Sequence, residues 1–139
     1  MSHDHQAKRI ETLEVDECMT LLRSERFGRV AYASGDRVEI FPVNGVFVDG
    51  AVVFRTDYGD RLDELASGLS AAYEIDDVDR DRGTGWSVVV HGQSEEVSSP
   101  QELERLRDLP FEPWAPGRRE HFVRLLPQRI TGRRITEGT

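Results

Sequence analysis

The spacing of apolar residues divides the chain into one helical segment followed by a run of strands. Four apolar residues recur at positions i, i+3, i+4 and i+7, namely Val15, Cys18, Met19 and Leu22. This is the spacing of a helix with one buried face, so it predicts a helix over residues 15–23. Cys18 belongs to the buried stripe, and we interpret it as a small core residue because nothing nearby in sequence would stabilise a thiolate.

Two hairpins are predicted after this helix. Short apolar runs typical of strands occupy residues 29–33, 38–41, 46–48 and 51–54. Ser34-Gly35-Asp36 supplies the turn of the first hairpin and Asp49-Gly50 that of the second, and Asp-Gly is a specific hairpin signal. Pro42 cannot donate to a strand ladder, so it predicts a bend or an edge position. Four strands in such a short stretch indicate a meander.

The second half of the chain continues the pattern with fewer turn signals. The sequence predicts a short helix between Gly59 and Gly68, a strand at 71–75 and a solvated acidic loop at 76–82. It also predicts a long strand over 86–97, broken or bulged at Gly92. A capping-box helix should run from Ser99 to about Leu109, followed by a proline-rich loop at 110–117 and β segments at 121–126 and 129–135. Seven or eight short strands with two or three helices suit a small closed or half-closed barrel.

Composition limits the chain to one domain and a few classes of partner. At 139 residues and 37% hydrophobic content it can bury one core, and we expect a disordered tail at 1–10 and a single domain at 11–139. The net charge of -8 argues against nucleic acid, whereas the basic residues are nearly all Arg and leave a small anionic ligand open. The single cysteine excludes an internal disulfide and a cysteine-rich zinc site. No apolar run reaches a membrane span and no secretion signal is recognisable, so we expect a cytoplasmic protein without membrane contact.

The sequence contains none of the familiar catalytic motifs, but it does contain one possible phosphate cradle. Phe54-Arg55-Thr56 ends a strand and passes through Gly59 towards a helix whose first turn holds Arg61. Backbone N–H groups at such a turn, two guanidinium groups and a hydroxyl are suitable ligands for a phosphate. The alternative is that Arg55 and Arg61 pair with neighbouring acids on the surface, and the residues alone leave the two interpretations equal.

The remaining candidate residues also have structural interpretations. His91 is expected to be a half-buried, hydrogen-bonded strand residue, and His121 is a weaker candidate for the site. His3 and His5 in the polar tail make a poor metal site, so no metal site and no catalytic side chain are predicted. Trp86 and Trp114 suit ordinary packing as well as ligand stacking.

Several motifs in serial order resemble those of the pyridoxamine 5'-phosphate oxidase-like flavoproteins, in particular the short actinobacterial-type branch. They are Phe41-Pro42-Val43-Asn44, Val53-Phe54-Arg55-Thr56, Gly59-Asp60-Arg61-Leu62, the segment from Thr84 to Gly92, Pro113-Trp114 and His121-Phe122-Val123-Arg124. The resemblance spans about Val15 to Ile135. It implies a mainly β fold, a split β-barrel of the FMN-binding type with inserted helices. It also implies a homodimer with FMN in the groove between the two protomers.

The resemblance also implies which residues bind the cofactor. Arg55 and Thr56 would contact the phosphate or ribityl chain and Arg61 the phosphate, with Leu62 beside them. The strand through Phe41, Pro42, Val43 and Asn44 would pass under the isoalloxazine ring and give it backbone hydrogen bonds. Trp86 and Ser87 would border the flavin, and Trp114 would reach the site from a C-terminal loop.

Two departures from the family pattern affect the expected activity. Asp60 stands where many relatives have a neutral or basic residue, and Leu62 replaces a second basic residue of the true oxidases, so the vitamin oxidase reaction is not expected. We expect an FMN-dependent oxidoreductase acting on a small-molecule substrate. The alternatives are a non-catalytic protein that binds flavin, heme or another small ligand, a deazaflavin-dependent reductase, or an unrelated small barrel with a protein partner and no coloured ligand.

Overall fold

The computed structural model describes residues 7–56, 61–109 and 121–138. Seven strands and two α-helices follow one another in these ranges, with a 3-10 helix at Arg61–Ser67. In chain order they are β1 (Lys8–Thr12), α1 (Val15–Ser24), β2 (Phe27–Ser34), β3 (Arg37–Val48), β4 (Ala51–Thr56), β5 (Ser70–Asp79), β6 (Thr84–Glu96), α2 (Pro100–Arg107) and β7 (His121–Glu137).

The strands form one antiparallel sheet that closes on itself. The strand order is β1-β7-β4-β3-β2-β5-β6, and β6 pairs again with β7. Strand β7 makes this closure possible because it is 17 residues long. Its first part lies between β4 and β6, and its later part lies between β6 and β1. Strands β2 to β7 therefore make a barrel, and β1 extends the sheet outside it.

The barrel interior holds the main hydrophobic core. Phe54, Tyr73, Val88 and Leu125 are at most 2% exposed and point into it from four strands. Helix α1 closes one end of this core through its buried residues Cys18 and Leu22, as expected for the stripe that defines the helix. Helix α2 covers a second, smaller cluster of Val53, Val97, Leu106 and Phe122 on the outside of the barrel. Burial of these apolar side chains is the main driving force for the fold.

Alternation along the strands defines an outer face, which comprises the side chains that point away from the main core. The cross-strand registers place them in common rows. The outer face consists of Phe27, Arg29, Ala31 and Ala33 on β2, Val38, Ile40, Pro42 and Asn44 on β3, Ser70, Ala72, Glu74, Asp76 and Val78 on β5, and Ser87, Val89 and His91 on β6.

Several predictions from local sequence signals are confirmed. Helix α1 spans Val15–Ser24, and Asp49 and Gly50 form the predicted turn with φ angles of 54° and 75°. The irregularity predicted at Gly92 is confirmed as a register shift between His91 and Gly92 in the β6–β7 pairing, but the extra residue is Gln128 on β7 and β6 itself is unbroken. The mainly β barrel with inserted helices is likewise confirmed.

Other segments differ from the expectation, and among the strands the reason is that strand pairing overrides a local signal. The strands predicted at 38–41 and 46–48 are one strand, β3, which passes through Pro42 without a break. The acidic stretch expected as a loop begins within β5, which continues to Asp79 because it pairs with β6. The two predicted C-terminal segments form the single strand β7, and Lys8–Thr12, which overlaps the predicted tail, pairs with its end. Ser99 is the N-cap of α2, but its side chain makes no capping hydrogen bond.

Candidate functional site

Arg55 and Asn44 lie next to each other where β3 and β4 separate. The hairpin pairs Val48 with Ala51 and ends at Gly45 with Phe54, so the next positions outward are Asn44 and Arg55. Both side chains belong to the outward-facing set of their strands and are partly buried. The two sequence motifs that suggested a flavin site, around residues 41–44 and 53–56, therefore meet in space.

The edge of β3 beside this junction is open to a ligand. Strand β3 pairs with β2 from Arg37 to Asn44, but its pairing with β4 begins only at Gly45. Among the described residues, no strand faces that edge along residues 40–43. The two-residue turn at 35–36 makes alternate pairs hydrogen-bonded, which directs the N–H and C=O of Ile40 and the C=O of Pro42 to the open edge. Pro42 is accommodated because its missing N–H falls at a pair that has no ladder hydrogen bond.

The side chains of Phe41 and Val43 point into the barrel. Phe41 stacks on Tyr32 with the ring centroids 6.3 Å apart, and Val43 is buried in the main core. Tyr73 supports this part of β3 from inside, since a Cβ added at Gly45 would lie 2.4 Å from the Tyr73 hydroxyl oxygen. A ligand on the outer face can therefore contact Phe41 and Val43 only through their backbone, whereas Pro42 and Asn44 also present side chains.

The rest of the predicted phosphate cradle is only partly described. Thr56 pairs with His121 in the backbone register of β4 and β7, and Arg61 is the first residue of the 3-10 helix. The side chains of Thr56, Arg61, Leu62 and His121, and all of Asp60 and Trp114, lie outside the described residues. Their roles in phosphate or ring binding stay predictions, as does the alternative in which Arg55 and Arg61 pair with Asp57 and Asp63.

Trp86 and Ser87 lie on opposite faces of β6. Ser87 belongs to the outer face and pairs with Asp76 on one side and Arg133 on the other. Trp86 packs against the main core. Phe27 and Asp76 separate Ser87 from Asn44 in the same row, which is three strand spacings, or about 14 Å. One chain therefore does not bring Ser87 to the junction of β3 and β4.

A pocket of about 350 Å³ opens beside Trp86, where the β5–β6 hairpin approaches the end of β7. Its apolar walls include Val78, Trp86 and Ile135. Its polar lining consists of Ser87 and of charged groups of both signs, namely Arg80, Arg133, Asp76 and Asp79. An aromatic ring in a largely apolar pocket with a few polar groups suits a planar ligand. The structure thus separates the predicted site residues into two groups, one near Arg55 and one near Ser87.

A charged cluster on the outer face was not recognised in the sequence. One nitrogen of Arg29 lies 3.2 Å from a carboxylate oxygen of Glu74 and 3.3 Å from one of Asp76. The pKa of Glu74 is raised from 4.5 to about 7, first by burial and then by the hydrogen bond to Asp76 and the charge of Asp76, while Arg29 opposes the shift. The alternation of apolar and polar residues from Tyr73 to Asp76 indicates that the strand reaches Asp76. The four acids among residues 76–81 indicate a loop instead, and the sequence-based prediction follows this second signal.

Replacing Glu74 with Gln is expected to stabilise the fold most at alkaline pH. Because the folded-state pKa lies above the unfolded one, the wild-type protein loses stability as pH rises from about 4.5 to about 7. The amide of the variant does not titrate, so the Tm of the variant minus that of the wild type should be larger at about pH 8 than at about pH 5. Glu104→Gln, at an exposed position of α2, is the matched control. Equal Tm differences at both pH values would contradict the raised pKa.

The outer face carries most of the exposed large hydrophobic side chains. Seven are exposed in the part of the chain that the structure describes, and only Val15 lies on a helix. The others are Ile10, Phe27, Val38, Ile40, Val78 and Leu126, all directed away from the main core. Val38 is 78% and Ile40 63% exposed. Val38 lines a groove of about 340 Å³ floored by small residues such as Ala31, Ala33 and Ala72, and Ile40 is the cross-strand neighbour of Ala31. An apolar ridge beside a groove on one surface is typical of an association face.

Two of the structural interpretations from sequence are confirmed. The imidazole Nε2 of His91 lies 3.3 Å from a guanidinium nitrogen of Arg129, and the ring is half-buried. Cys18 is fully buried in the main core, where burial raises the pKa of its thiol.

Within the described ranges, no group of three or more His, Cys, Asp or Glu side chains is arranged to hold a metal ion. The same ranges contain no helix long and apolar enough to cross a membrane.

Comparison with known proteins adds close relatives and solved structures of the same fold. The chain is 38% identical over 134 residues to the uncharacterized protein Rv0080 of Mycobacterium tuberculosis, covering 93% of this chain and 88% of the relative. A candidate pyridoxamine 5'-phosphate oxidase of Corynebacterium glutamicum is 33% identical in structure-based alignment, with a TM-score of 0.80 over 92% of this chain and 99% of that one. An FAD binding protein of Mycobacterium smegmatis is 35% identical, with a TM-score of 0.77 over 89% and 98%.

The agreement extends from the fold to the sequence. The two solved structures match the fold of this chain over 92% and 89% of its length, and the identity of 33 to 38% with the three proteins extends well beyond the motifs around Arg55. The family model described as pyridoxamine 5'-phosphate oxidase matches residues 14–134, from the start of α1 almost to the end of β7. The chain therefore belongs to the pyridoxamine 5'-phosphate oxidase family.

Proposed function

We propose that this chain is a flavin-dependent oxidoreductase that binds its flavin nucleotide as a homodimer. The observation that carries the proposal is the open edge of β3 beside Arg55. A flavin has a flat ring system whose pyrimidine edge carries hydrogen-bond donors and acceptors, and a phosphate at the end of a flexible chain. The junction of β3 and β4 offers groups that match both parts.

The fit can be stated group by group. The N–H of Ile40 and the C=O groups of Ile40 and Pro42 are directed to the edge where the ring would bind, and Asn44 lies one residue further. Arg55 is adjacent and supplies a guanidinium suited to a phosphate. Thr56 and Arg61 follow in the chain and complete this end of the site by resemblance to the family. FMN satisfies these groups; the Mycobacterium smegmatis relative binds FAD, so both nucleotides are candidates.

A second copy of the chain is proposed as the other half of the site. Ser87 and Trp86 match the family's flavin-binding motifs, but within one protomer Ser87 lies about three strand spacings from the junction of β3 and β4. The outer face is also self-complementary, since the exposed ridge of Val38 and Ile40 adjoins a groove of small side chains. A two-fold axis would place the ridge of one copy in the groove of the other.

The bound flavin would supply hydride or electron transfer. The chain's own contribution is to bind the phosphate through Arg55, to orient the ring along β3 and to exclude water with the second copy. A small-molecule substrate would lie against the exposed face of the ring. Turnover with a reduced nicotinamide as electron donor would establish the enzyme, whereas flavin binding without turnover would indicate a binding protein.

Replacing Arg55 with Met is expected to weaken flavin binding by about 10- to 150-fold. The variant keeps much of the length of the side chain but removes a charge-assisted hydrogen bond to phosphate, worth about 1.5 to 3 kcal/mol. The measurement is a titration of the purified protein with FMN and, separately, with FAD, followed by flavin absorbance and fluorescence.

Arg105→Met provides the matched control for this titration. Arg105 lies on α2, is 62% exposed and pairs with Asp49, so its loss removes one positive charge at a distance from the site. Its flavin affinity should equal that of the wild type. Equal affinities in the Arg55 variant and the wild type would remove Arg55 from the site, and a wild-type protein that retains neither nucleotide would overturn the proposal.

A further inference from the structure

We propose that pairing of two copies of this chain is linked to proton uptake through the Arg29–Glu74–Asp76 cluster. On association, one proton from solvent binds a carboxylate oxygen of Glu74 in each copy and is shared with Asp76. The inference rests on the proposed homodimer and concerns its regulation. It predicts that the dimer weakens as the solution becomes alkaline.

The geometry leaves the cluster with one more negative charge than positive. Glu74 and Asp76 are two residues apart on β5 and share the outer face, so their side chains are neighbours. A single Arg29 nitrogen serves both carboxylates, at 3.2 and 3.3 Å. In the part of the chain that the structure describes, no other cation forms an ion pair with either acid. With both acids ionised, the cluster carries a net charge of -1.

The surroundings of the cluster belong to the proposed association face. Across the strand pairs, Glu74 faces Arg29 and Val89, and Asp76 faces Ser87. The next row contains Ala31 and Ala72, which line the groove beside the exposed ridge. The other titratable or charged groups that face this region are His91, diagonal to Glu74 on β6 and in contact with Arg129, and Arg133, beyond Ser87.

Burial of this face by a second copy makes the excess negative charge of the cluster energetically unfavourable. In a single chain, water solvates the carboxylates, since 29% of the Glu74 side chain and 35% of Asp76 are exposed. A second copy seated on the groove removes that water, and an uncompensated charge in an apolar interface is strongly unfavourable. Protonation removes the excess charge, because a neutral Glu74 donates to Asp76 while Arg29 balances the remaining carboxylate. Because the pKa of Glu74 is already about 7 in the single chain, Glu74 can take up this proton from solvent near neutral pH.

The test is the dimer dissociation constant of the full chain, measured by sedimentation equilibrium over a series of pH values. For one proton taken up per chain, the constant should rise by up to about 100-fold between about pH 6 and about pH 8. Glu74→Gln should abolish most of this dependence and Glu104→Gln should preserve it. A second measurement needs no variant: in the wild-type dimer, the side-chain carboxyl of Glu74, followed by ¹³C NMR, should titrate above its value in dilute monomer.

The outcomes separate this inference from the homodimer on which it rests. A dimer whose dissociation constant is unchanged between the two pH values overturns the proton linkage and leaves the homodimer intact. A pH dependence that persists in Glu74→Gln, or a Glu74 carboxyl that titrates in its ordinary range in the dimer, also overturns it. A chain that stays monomeric at every pH and concentration overturns both.

Discussion

Replacing Gly92 with Ala is expected to lower the free energy of unfolding by about 3 kcal/mol, the upper end of the usual cost of overpacking. A Cβ at this position would lie 2.0 Å from the carbonyl oxygen of Leu126 and 2.8 Å from its carbonyl carbon. Both atoms are backbone, so no side-chain rotation can relieve the clash. Gly92 also lies at the register shift where β7 bends to close the barrel.

The measurement is urea unfolding followed by circular dichroism, with Gly50→Ala as the matched control. Gly50 has a φ of 75° and nothing within 4 Å of an added Cβ, so its substitution costs only backbone strain, about 1 kcal/mol. Gly92→Ala should therefore unfold at a clearly lower urea concentration than Gly50→Ala. Similar midpoints for the two variants would show that the β6–β7 junction can move apart at little cost.

Local sequence predicts those parts of the fold that depend on a few neighbouring residues. The turn at Asp49-Gly50 depends on two residues, and helix α1 depends on one stripe of side chains, so both were predictable. The adjacency of Arg55 and Asn44 also follows from sequence, because counting outward from a two-residue turn pairs these positions. One half of the candidate site is therefore contained in a single hairpin.

The other half depends on how the barrel closes. Ser87 lies in the row of Asn44 only because β2 and β5, strands far apart in sequence, pair between them. No local signal gives that pairing, since apolar alternation predicts a strand but not its neighbour. For the same reason the sequence predicts that the strand containing Glu74 ends before Asp76, although pairing with β6 keeps both residues in one strand. The charged cluster could not be expected before the sheet order was known.

Replacing Ile40 with Glu is expected to separate the proposed homodimer, raising its dissociation constant by about 1,000-fold or more. In the single chain Ile40 is 63% exposed, so the charge is solvated there and the monomer fold should keep its Tm. In the dimer both introduced carboxylates would be buried without a partner, which costs about 3 to 5 kcal/mol for each of them. Sedimentation equilibrium of the variant and the wild type at one protein concentration measures the change.

Val15→Glu is the control for the Ile40 substitution, because Val15 is 48% exposed but lies at the start of α1, away from the outer face. It should stay dimeric. A dimer that survives Ile40→Glu unchanged would place the association surface elsewhere on the barrel.

Flavin titration of the same Ile40 variant tests whether the site is shared between two chains. Arg55 and the edge of β3 are intact in the separated protomer, but the second copy's Ser87 and Trp86 are no longer beside them. If the ring binds between the copies, flavin affinity should fall together with dimer affinity and recover at protein concentrations that restore the dimer. Full affinity in a monomeric variant would show that the junction of β3 and β4 is sufficient, and that the pocket beside Trp86 serves another ligand.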